Sequence, residues 1–349
     1  MPIIDHERLE EVTGKIFQAI GVPRDGAQWV AHLLVLANLR GHDSHGVIRI
    51  PQYIASWQRG EADPVAEPEV VQEGPATAMV DGKLAFGQIV ARRAMEIAME
   101  KASKVGVAAV GAFNSNHVGR LADYTEMALK HDMLAILTVN AGGAAQRMAP
   151  WGGLSPGLAT NPIAFACPTG RPPAISVDLA TSIVAEGKVR VKRNRGDSIP
   201  PNWVMSPGGH PTTDPNVLYG DPPGTIMPAG EHKGYCLALM VEILAGILAR
   251  GGYSTASPGP VRNGIFMWVM EIAQFVPVEI FRNEVDDLIR YLKSSPTVAG
   301  VDQVLTPGEP ELLTEVQRRE TGVFIEDRTW QEIMTIARDL GVTVPAQEP

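Results

Sequence analysis

Cysteine is close to absent from this chain: Cys167 and Cys236 are the only two among 349 residues, far apart and in apolar settings. No CxxC pair and no Cys/His cluster of zinc spacing occurs, which argues against a disulfide-stapled secreted scaffold and a structural zinc module. A reducing cytoplasm is the expected compartment, and no metal is expected. Basic charge is also short. Thirty Lys and Arg against 39 Asp and Glu leave a net charge of −9, the wrong sign for a dedicated nucleic-acid binder, which needs a basic surface to neutralise phosphates. Long apolar runs are missing as well: the longest, near 30–39 and 237–248, are interrupted by His32, Asn38 and Glu242 and fall short of the roughly 20 residues that cross a bilayer. No membrane span is expected. The opening Met-Pro-Ile-Ile-Asp-His-Glu-Arg lacks the basic start, apolar stretch and cleavage site of a signal peptide, so no secretion is expected either.

Several catalytic signatures are absent too. No GxGxxG follows a predicted strand and no GxxxxGK[ST] occurs, so neither a Rossmann site nor a P-loop is indicated. No HExxH or GxSxG appears, which lowers the metalloprotease and α/β-hydrolase readings. What is present is 45% hydrophobic and 20% charged residues, enough to bury the core of one large domain or two to three smaller ones. Small substrates suit that balance.

Asp5 ahead of Leu9, Val12, Ile16 and Ile20, with Gly21 and Pro23 as stops, predicts an amphipathic helix. Asp25 and Gln28 read as a capping box for a second, largely buried helix to Leu39, and a third starts near Tyr53. The Pro-, Glu- and Val-rich stretch near 60–76 marks an expected domain boundary. Beyond it the pattern predicts a strand over 77–80 with Asp81-Gly82 as a hairpin turn, a helix near 88–104, and a strand over 107–110. A helix near 121–131 follows, then strands over 134–139, 163–166 and 175–177. Glycine and proline crowd 140–230, which predicts loops of the kind that host sites. A long helix is predicted over 233–250 and shorter ones near 283–294, 309–320 and 328–340, the last with Thr329 and Glu332 as a capping box and Gly341 as stop. Helical ends around a mixed centre imply that 1–75 and 300–349 form one discontinuous helical domain, and that 76–299 forms a mixed α/β domain with a small helical insertion near 118–132.

The segment Gly41-His-Asp-Ser-His-Gly-Val-Ile-Arg49 puts two imidazoles, a carboxylate, a hydroxyl and a guanidinium close together. His45 is the candidate proton donor, because imidazole is matched to proton transfer near neutral pH and a neighbouring hydroxyl or carboxylate fixes its tautomer. Arg49 offers a planar fork for a substrate carboxylate. A polar turn whose His and Asp only cap backbone groups would carry the same residues. Asn114-Ser-Asn-His117-Val-Gly119-Arg-Leu121 follows a strand and opens a helix, where free N–H groups suit a pyrophosphate; an ordinary Asn-capped helix fits equally. Asn140-Ala-Gly-Gly and Thr160-Asn-Pro offer further donors, or only tight turns. The basic run Arg190, Lys192, Arg193, Arg195 is either a solvated face or a cofactor-phosphate contact. Lys233 at a helix start opposes the helix dipole, which a paired anion or simple extension into water resolves.

Taken in order, Asp43-Ser-His-Gly-Val-Ile-Arg49, Asn116-His-Val-Gly119, Trp151-Gly-Gly with Thr160-Asn-Pro162, and Val177-Asp-Leu-Ala-Thr-Ser182 form a recognisable series. It continues through Ala185-Glu-Gly-Lys188, Ile199-Pro with Trp203, His232-Lys-Gly-Tyr235 and Pro307-Gly-Glu309. On these motifs the chain, from about residue 4 to 335, resembles the malate/L-lactate dehydrogenase family of NAD(P)-dependent 2-hydroxyacid oxidoreductases. That family also holds sulfolactate and ureidoglycolate dehydrogenases, a diketogulonate reductase and cyclic imine reductases. The resemblance implies an α/β, non-Rossmann fold: a mostly antiparallel central sheet in a cofactor-binding domain, a helical domain from both chain ends, and a homodimer. It implies NAD or NADP as cofactor and a small 2-hydroxy or 2-oxo acid as substrate. Carried over by position, His45 is the proton donor or acceptor, Ser44 its hydrogen-bonding partner and Arg49 the carboxylate anchor. His117 is a second candidate for the catalytic base, and Thr160 a substrate contact. The implied cofactor contacts are His117, Val118, Gly119, Arg120, Leu121, Asn140, Ser176, Val177, Asp178, Lys188, His232, Lys233, Pro307, Gly308 and Glu309.

Three positions depart from the family pattern or divide it. Lys188 stands where the imine reductases carry an acid, Cys236 replaces a common glycine, and Ile265 stands where many members have histidine. The implied reaction is hydride exchange at C2 with proton exchange at the C2 oxygen, a protonated His45 serving reduction. A cyclic imine or keto-sugar-acid reductase on the same scaffold, and a catalytically silent binding or structural dimer, are the alternatives.

Overall fold

A computed structural model describes residues 2–143, 145–257 and 259–343, so residues 1 and 344–349 of the expected helical domain lie outside the described residues. The chain opens with β1 (Ile3–Ile4) and α1 (His6–Ala19), and the start of α1 is the predicted one. The Asp5 carboxylate accepts from the N–H groups of Glu7 and Arg8, both at 3.0 Å. Helix α2 (Arg24–Leu39) has no side-chain cap, so the expected Asp25 capping box does not form. Pro23 sets the start one residue before Arg24 and leaves Asp25 inside the first turn, where it pairs with Arg92 at 2.9 Å. Helix α3 (Ile50–Gln58) begins ahead of the expected Tyr53.

Strands β2 (Glu69–Glu73) and β3 (Thr77–Asp81) form a hairpin, but Asp81-Gly82 is not a hairpin turn. The chain leaves β3, crosses through α4 (Gly87–Val105) and returns as β4 (Val107–Ser115), parallel to β3. The N–H groups of Gly82 and Leu84 donate to the carbonyls of Phe113 and Asn114 at 2.8 and 2.9 Å, which steers the chain along the end of β4 instead of back on itself. The helix expected over 121–131 is a short α5 (Ala122–Thr125) followed by a 3-10 stretch to His131.

Strands β5 (Met133–Gly142), β6 (Ile163–Cys167) and β7 (Ile175–Leu179) extend the sheet, and α6 (Glu186–Arg195) then appears without an apolar period to announce it. The two-residue strands β8 (Val204–Met205), β9 (Pro211–Thr212) and β10 (Thr225–Ile226) form a separate small sheet. Helix α7 (His232–Val241) continues as a π-helical stretch, Glu242–Leu248, where a regular helix was expected. Strand β11 (Arg262–Glu271), for which the sequence pattern predicts no element, is the centre of the sheet.

The strand order is β2-β3-β4-β11-β5-β6-β7, with every neighbouring pair antiparallel except β3 and β4 among the described residues. A mostly antiparallel sheet is what the family resemblance implies. Val90, Ala94, Met95 and Ala98 of α4 cover one face, while Val241, Ala245 and Ala249 pack with Phe266 on the other. Covering on both faces explains why β11 reads as the unbroken apolar run Ile265 to Met270 and not as an alternation.

The chain closes with α8 (Val278–Lys293), α9 (Glu309–Thr321), β12 (Val323–Phe324) and α10 (Asp327–Asp339). Strand β12 pairs with β1, and Leu9, Ile16, Tyr53, Phe86, Val323 and Ile333 share one core cluster. The expected Thr329 capping box is absent because α10 starts earlier, with Glu326 at its N-cap and Thr329 buried. Among the described residues no helix is long and apolar enough to cross a membrane.

Candidate active site

The polar segment after α2 is held by one buried side chain. Asn38 Oδ1 accepts from the Val47 N–H at 2.9 Å and Asn38 Nδ2 donates to Asp43 Oδ1 at 2.8 Å. Gly46 packs so closely on this carboxamide that no Cβ would fit. The Asp43 carboxylate is spent on Asn38 and on Arg318, 2.7 Å away, so it is not the partner of a catalytic imidazole. The hydroxyl takes that part: Ser44 Oγ lies 3.1 Å from His45 Nδ1.

The end of β4 brings up the second imidazole. His117 Nδ1 sits 2.8 Å from the Tyr53 hydroxyl, which accepts from Gln88 Nε2 at 2.9 Å. The rings of His45 and His117 stack with centroids 5.7 Å apart and planes inclined by 22°. Two segments widely separated in sequence thus present paired imidazoles, each with one nitrogen engaged by a hydroxyl, to a cavity of about 500 Å³. Burial, then the charges of Arg49, His42, Arg120 and Lys188, pushes the His45 pKa down to about 3. Burial followed by Arg49 and His45 holds His117 well below its ordinary range. Both rings are neutral at neutral pH. Burial raises Tyr53 to about 12, so its phenol keeps its proton.

Ser44, His45, His117, Val118, Gly119, Arg120, Leu121, Asn140, Thr160, Asp178 and Lys188 all line this cavity. Their contacts correct part of the sequence reading. The N–H groups of Leu121 and Ala122, at the helix start that reads equally as a pyrophosphate site or an Asn cap, donate instead to Asp178 Oδ2 at 2.8 and 3.0 Å. The chain's own carboxylate closes that helix start. Arg120 likewise spends its charge on Asp123 and Glu126. The Asn140 carboxamide donates to the Gly252 carbonyl at 2.7 Å and accepts from the Gly264 N–H at 3.1 Å, so it builds the wall. The Thr160 carbonyl accepts from the Thr181 N–H and hydroxyl at 3.0 and 2.9 Å.

Arg49 lies behind Ser44, donating to the Ser44 carbonyl and to Gln52 Oε1, each at 2.7 Å, and lines an adjoining cleft of about 340 Å³. The remaining candidates lie outside the main cavity. Ser176 donates to Glu126 at 2.7 Å, and its N–H donates to the Pro307 carbonyl at 3.1 Å. Gly308, with φ +98°, lies against Ser176, while Glu309 accepts from the Thr306 N–H at 2.7 Å and pairs with Lys293. Val177 pairs with Phe165 across β6 and β7. His232 meets the Trp151 ring edge-on, and Lys233 is exposed with no acidic partner among the described residues. Among the described residues no group of three or more His, Cys, Asp or Glu is placed to hold a metal ion.

Residues that sequence reasoning missed are the braces. Tyr53 and Gln88 fix His117, and Asn263 accepts from the Val118 N–H while donating to the Asn140 carbonyl, both at 3.0 Å. Gly187 brings the first turn of α6 against Ser44, where a Cβ would stand 2.9 Å from the Ser44 Cβ. Tyr53 stands one helical turn beyond Arg49, which is the one signal that could have drawn attention to it.

Residues 4–334 match the family described as malate/L-lactate dehydrogenase. The chain belongs to that family. It is 36% identical to an L-sulfolactate dehydrogenase of Methanothermobacter thermautotrophicus over 99% of both chains. Its fold is similar to the crystal structure of a malate dehydrogenase from Entamoeba histolytica, with a TM-score of 0.92, 27% identity and 99% coverage of each chain. A Δ1-piperideine-2-carboxylate reductase from Pseudomonas syringae is also similar, with a TM-score of 0.83, 28% identity, and coverage of 97% of this chain and 100% of that one. The solved structures similar to this chain thus carry the names of a malate dehydrogenase and of a Δ1-piperideine-2-carboxylate reductase.

Proposed function

We propose that the protein interconverts small 2-hydroxy acids and 2-oxo acids of the malate/L-lactate type with NAD or NADP, and that His45 exchanges the proton at the C2 oxygen. The observation that carries this reading is the arrangement of Ser44, His45 and Arg49. Ser44 holds Nδ1, which leaves Nε2 to face a substrate, and Arg49 stands on the same loop with its second Nη uncommitted to a carboxylate. His117, held by Tyr53, is the second candidate for the same step.

The cavity's donor set fits a nicotinamide dinucleotide. Gly119, with φ +81°, keeps one wall free of side-chain bulk, Val139 and Pro162 offer apolar surface, and the Thr160 hydroxyl has no partner among the described residues. Along β7 the side chains of Ser176 and Asp178 share one face, which extends the site toward the Pro307-Gly308-Glu309 turn. Val118 to Leu121, Asn140 and Ser176 to Asp178 are the proposed walls of the cofactor site, with the 307–309 turn and the exposed His232 and Lys233 at its outer parts. When bound, the nicotinamide supplies hydride exchange at C2 of the substrate. Arg49 holds the C1 carboxylate through two parallel N–H donors. His45 gives a proton to the developing alkoxide in reduction and takes it from the hydroxyl in oxidation. The segments 1–75 and 300–343 then serve as the domain that carries Ser44, His45 and Arg49 to the sheet.

A second copy of the chain is the proposed partner. Leu237, Met240, Ile243 and Ile247 leave between 39 and 55% of their surface exposed along one stretch, and α8 buries none of its apolar residues. Sedimentation should read twice the 37.5 kDa chain mass, and a monomer at micromolar concentration would remove the dimer from the proposal.

The functional reading is tested by oxidation of NADH and NADPH against oxaloacetate, pyruvate, sulfopyruvate and pyrroline-2-carboxylate. Turnover of an oxo acid is expected. Turnover of the imine alone would assign the protein to imine reduction, and binding of neither nucleotide would mark it as catalytically silent.

A further inference from the structure

The cations around the cavity are mostly spent. On α6, Arg190 meets Glu186 at 2.9 Å, Lys192 meets Asp197 at 3.1 Å and Arg195 meets Glu326 at 2.9 Å. Across the cavity Arg120 is paired with Asp123, and Arg40 with Glu126 and Glu315. Two cations beside Ser44 and His45 break this pattern. Arg49 gives its hydrogen bonds to neutral oxygens, and Lys188, which lines the cavity, has no acidic partner among the described residues.

Both reach the same loop, Arg49 from the adjoining cleft behind Ser44 and Lys188 from the cavity side, where it is exposed. A Cβ on Gly187 would lie 2.9 Å from the Ser44 Cβ and 3.9 Å from Arg49 Nη2, so the first turn of α6 sets Lys188 over the loop that carries Ser44, His45 and Arg49. Both charges act on the His45 ring, Arg49 more strongly than Lys188. A substrate with one carboxylate would neutralise one of them and leave the other facing the imidazolium that reduction requires. A substrate with two anionic groups neutralises both.

We propose that Lys188 is a specificity-determining residue of this site: it holds the second anionic group, a carboxylate or sulfonate, of dianionic 2-oxo acids while Arg49 holds the C1 carboxylate. This rests on the oxo-acid reading above, and it takes Lys188 away from the cofactor contacts that the family resemblance implies. Arginine at position 188 would keep the charge, whereas methionine keeps much of the length and removes it.

The test compares kcat/KM for oxaloacetate, sulfopyruvate and pyruvate in wild type, Lys188→Met and Lys188→Arg at saturating reduced nucleotide. It adds calorimetric Kd values for tartronate, a dianion, and oxamate, a monoanion. Wild type should prefer the dianions, and Lys188→Met should lower the ratio of dianion to pyruvate kcat/KM by about 10- to 100-fold, with the loss mainly in KM. Tartronate should weaken by a similar factor and oxamate by much less, and Lys188→Arg should recover most of both ratios. Equal losses for all substrates and both inhibitors, or unchanged ratios, would overturn the proposal. Absence of turnover with every oxo acid in wild type would count against the functional reading, while the two inhibitors would still decide the role of Lys188. Separate oxaloacetate and sulfopyruvate values tell carboxylate from sulfonate preference.

Discussion

His45→Ala should lower kcat for oxo-acid reduction by about 10²- to 10⁴-fold, the range that a positioned general acid contributes. The expectation follows from what the structure leaves for the other groups to do. Ser44 loses only a hydrogen-bond partner, Arg49 keeps both its contacts, and the His117 ring stays held by Tyr53. Substrate and nucleotide should still bind, so the loss belongs in kcat far more than in KM. Arg49→Lys should act in the opposite sense, raising KM for the acid because a point charge cannot reproduce two parallel donors. A full-strength kcat in His45→Ala, with a collapse in His117→Ala, would move the proton to the second imidazole.

The second large effect is on pH dependence. Reduction consumes a proton, so the ratio of reductive to oxidative kcat/KM must fall tenfold per pH unit whatever the mechanism. How that slope divides between the two directions depends on His45. With its pKa held down to about 3, the free site presents a neutral base across the whole working range. Oxidation, which uses the neutral ring, should therefore be flat from about pH 5 upward. Reduction, which uses the imidazolium, should fall about tenfold per unit over the same range, roughly 100-fold between pH 6 and pH 8. An ordinary histidine would behave differently, with a break in both profiles near its unperturbed value of about 6.5. Profiles measured in both directions on one preparation separate these cases.

The parts of this site that could be read from the sequence are those made by short segments. Ser44, His45 and Arg49 share one loop, and the Asp5 cap of α1 is as local as the signal that announces it. Long-range contacts were not legible. Nothing near Leu121 says that Asp178, from a distant strand, closes the helix start in place of a bound anion or a local Asn cap. Asn263 and β11 were missed for a related reason: a strand covered on both faces loses the alternation that marks strands. Helix α6 carries a basic run with few apolar residues, so its role in laying Gly187 against Ser44 appears only in three dimensions. The Asp25 and Thr329 capping boxes failed because in each case the helix begins earlier, which places the supposed cap inside the first turn.

Proton uptake on formation of the complex with reduced nucleotide and oxamate, read with a pH indicator in weakly buffered solution near pH 6, tests the central claim most directly. Held neutral by burial and by nearby cations, His45 should take up a proton once the inhibitor's carboxylate offsets Arg49, the strongest of those charges, and His45→Ala should take up none. Equal uptake in the two proteins, or none in wild type, would contradict the assignment of His45 as the group that exchanges the substrate's proton.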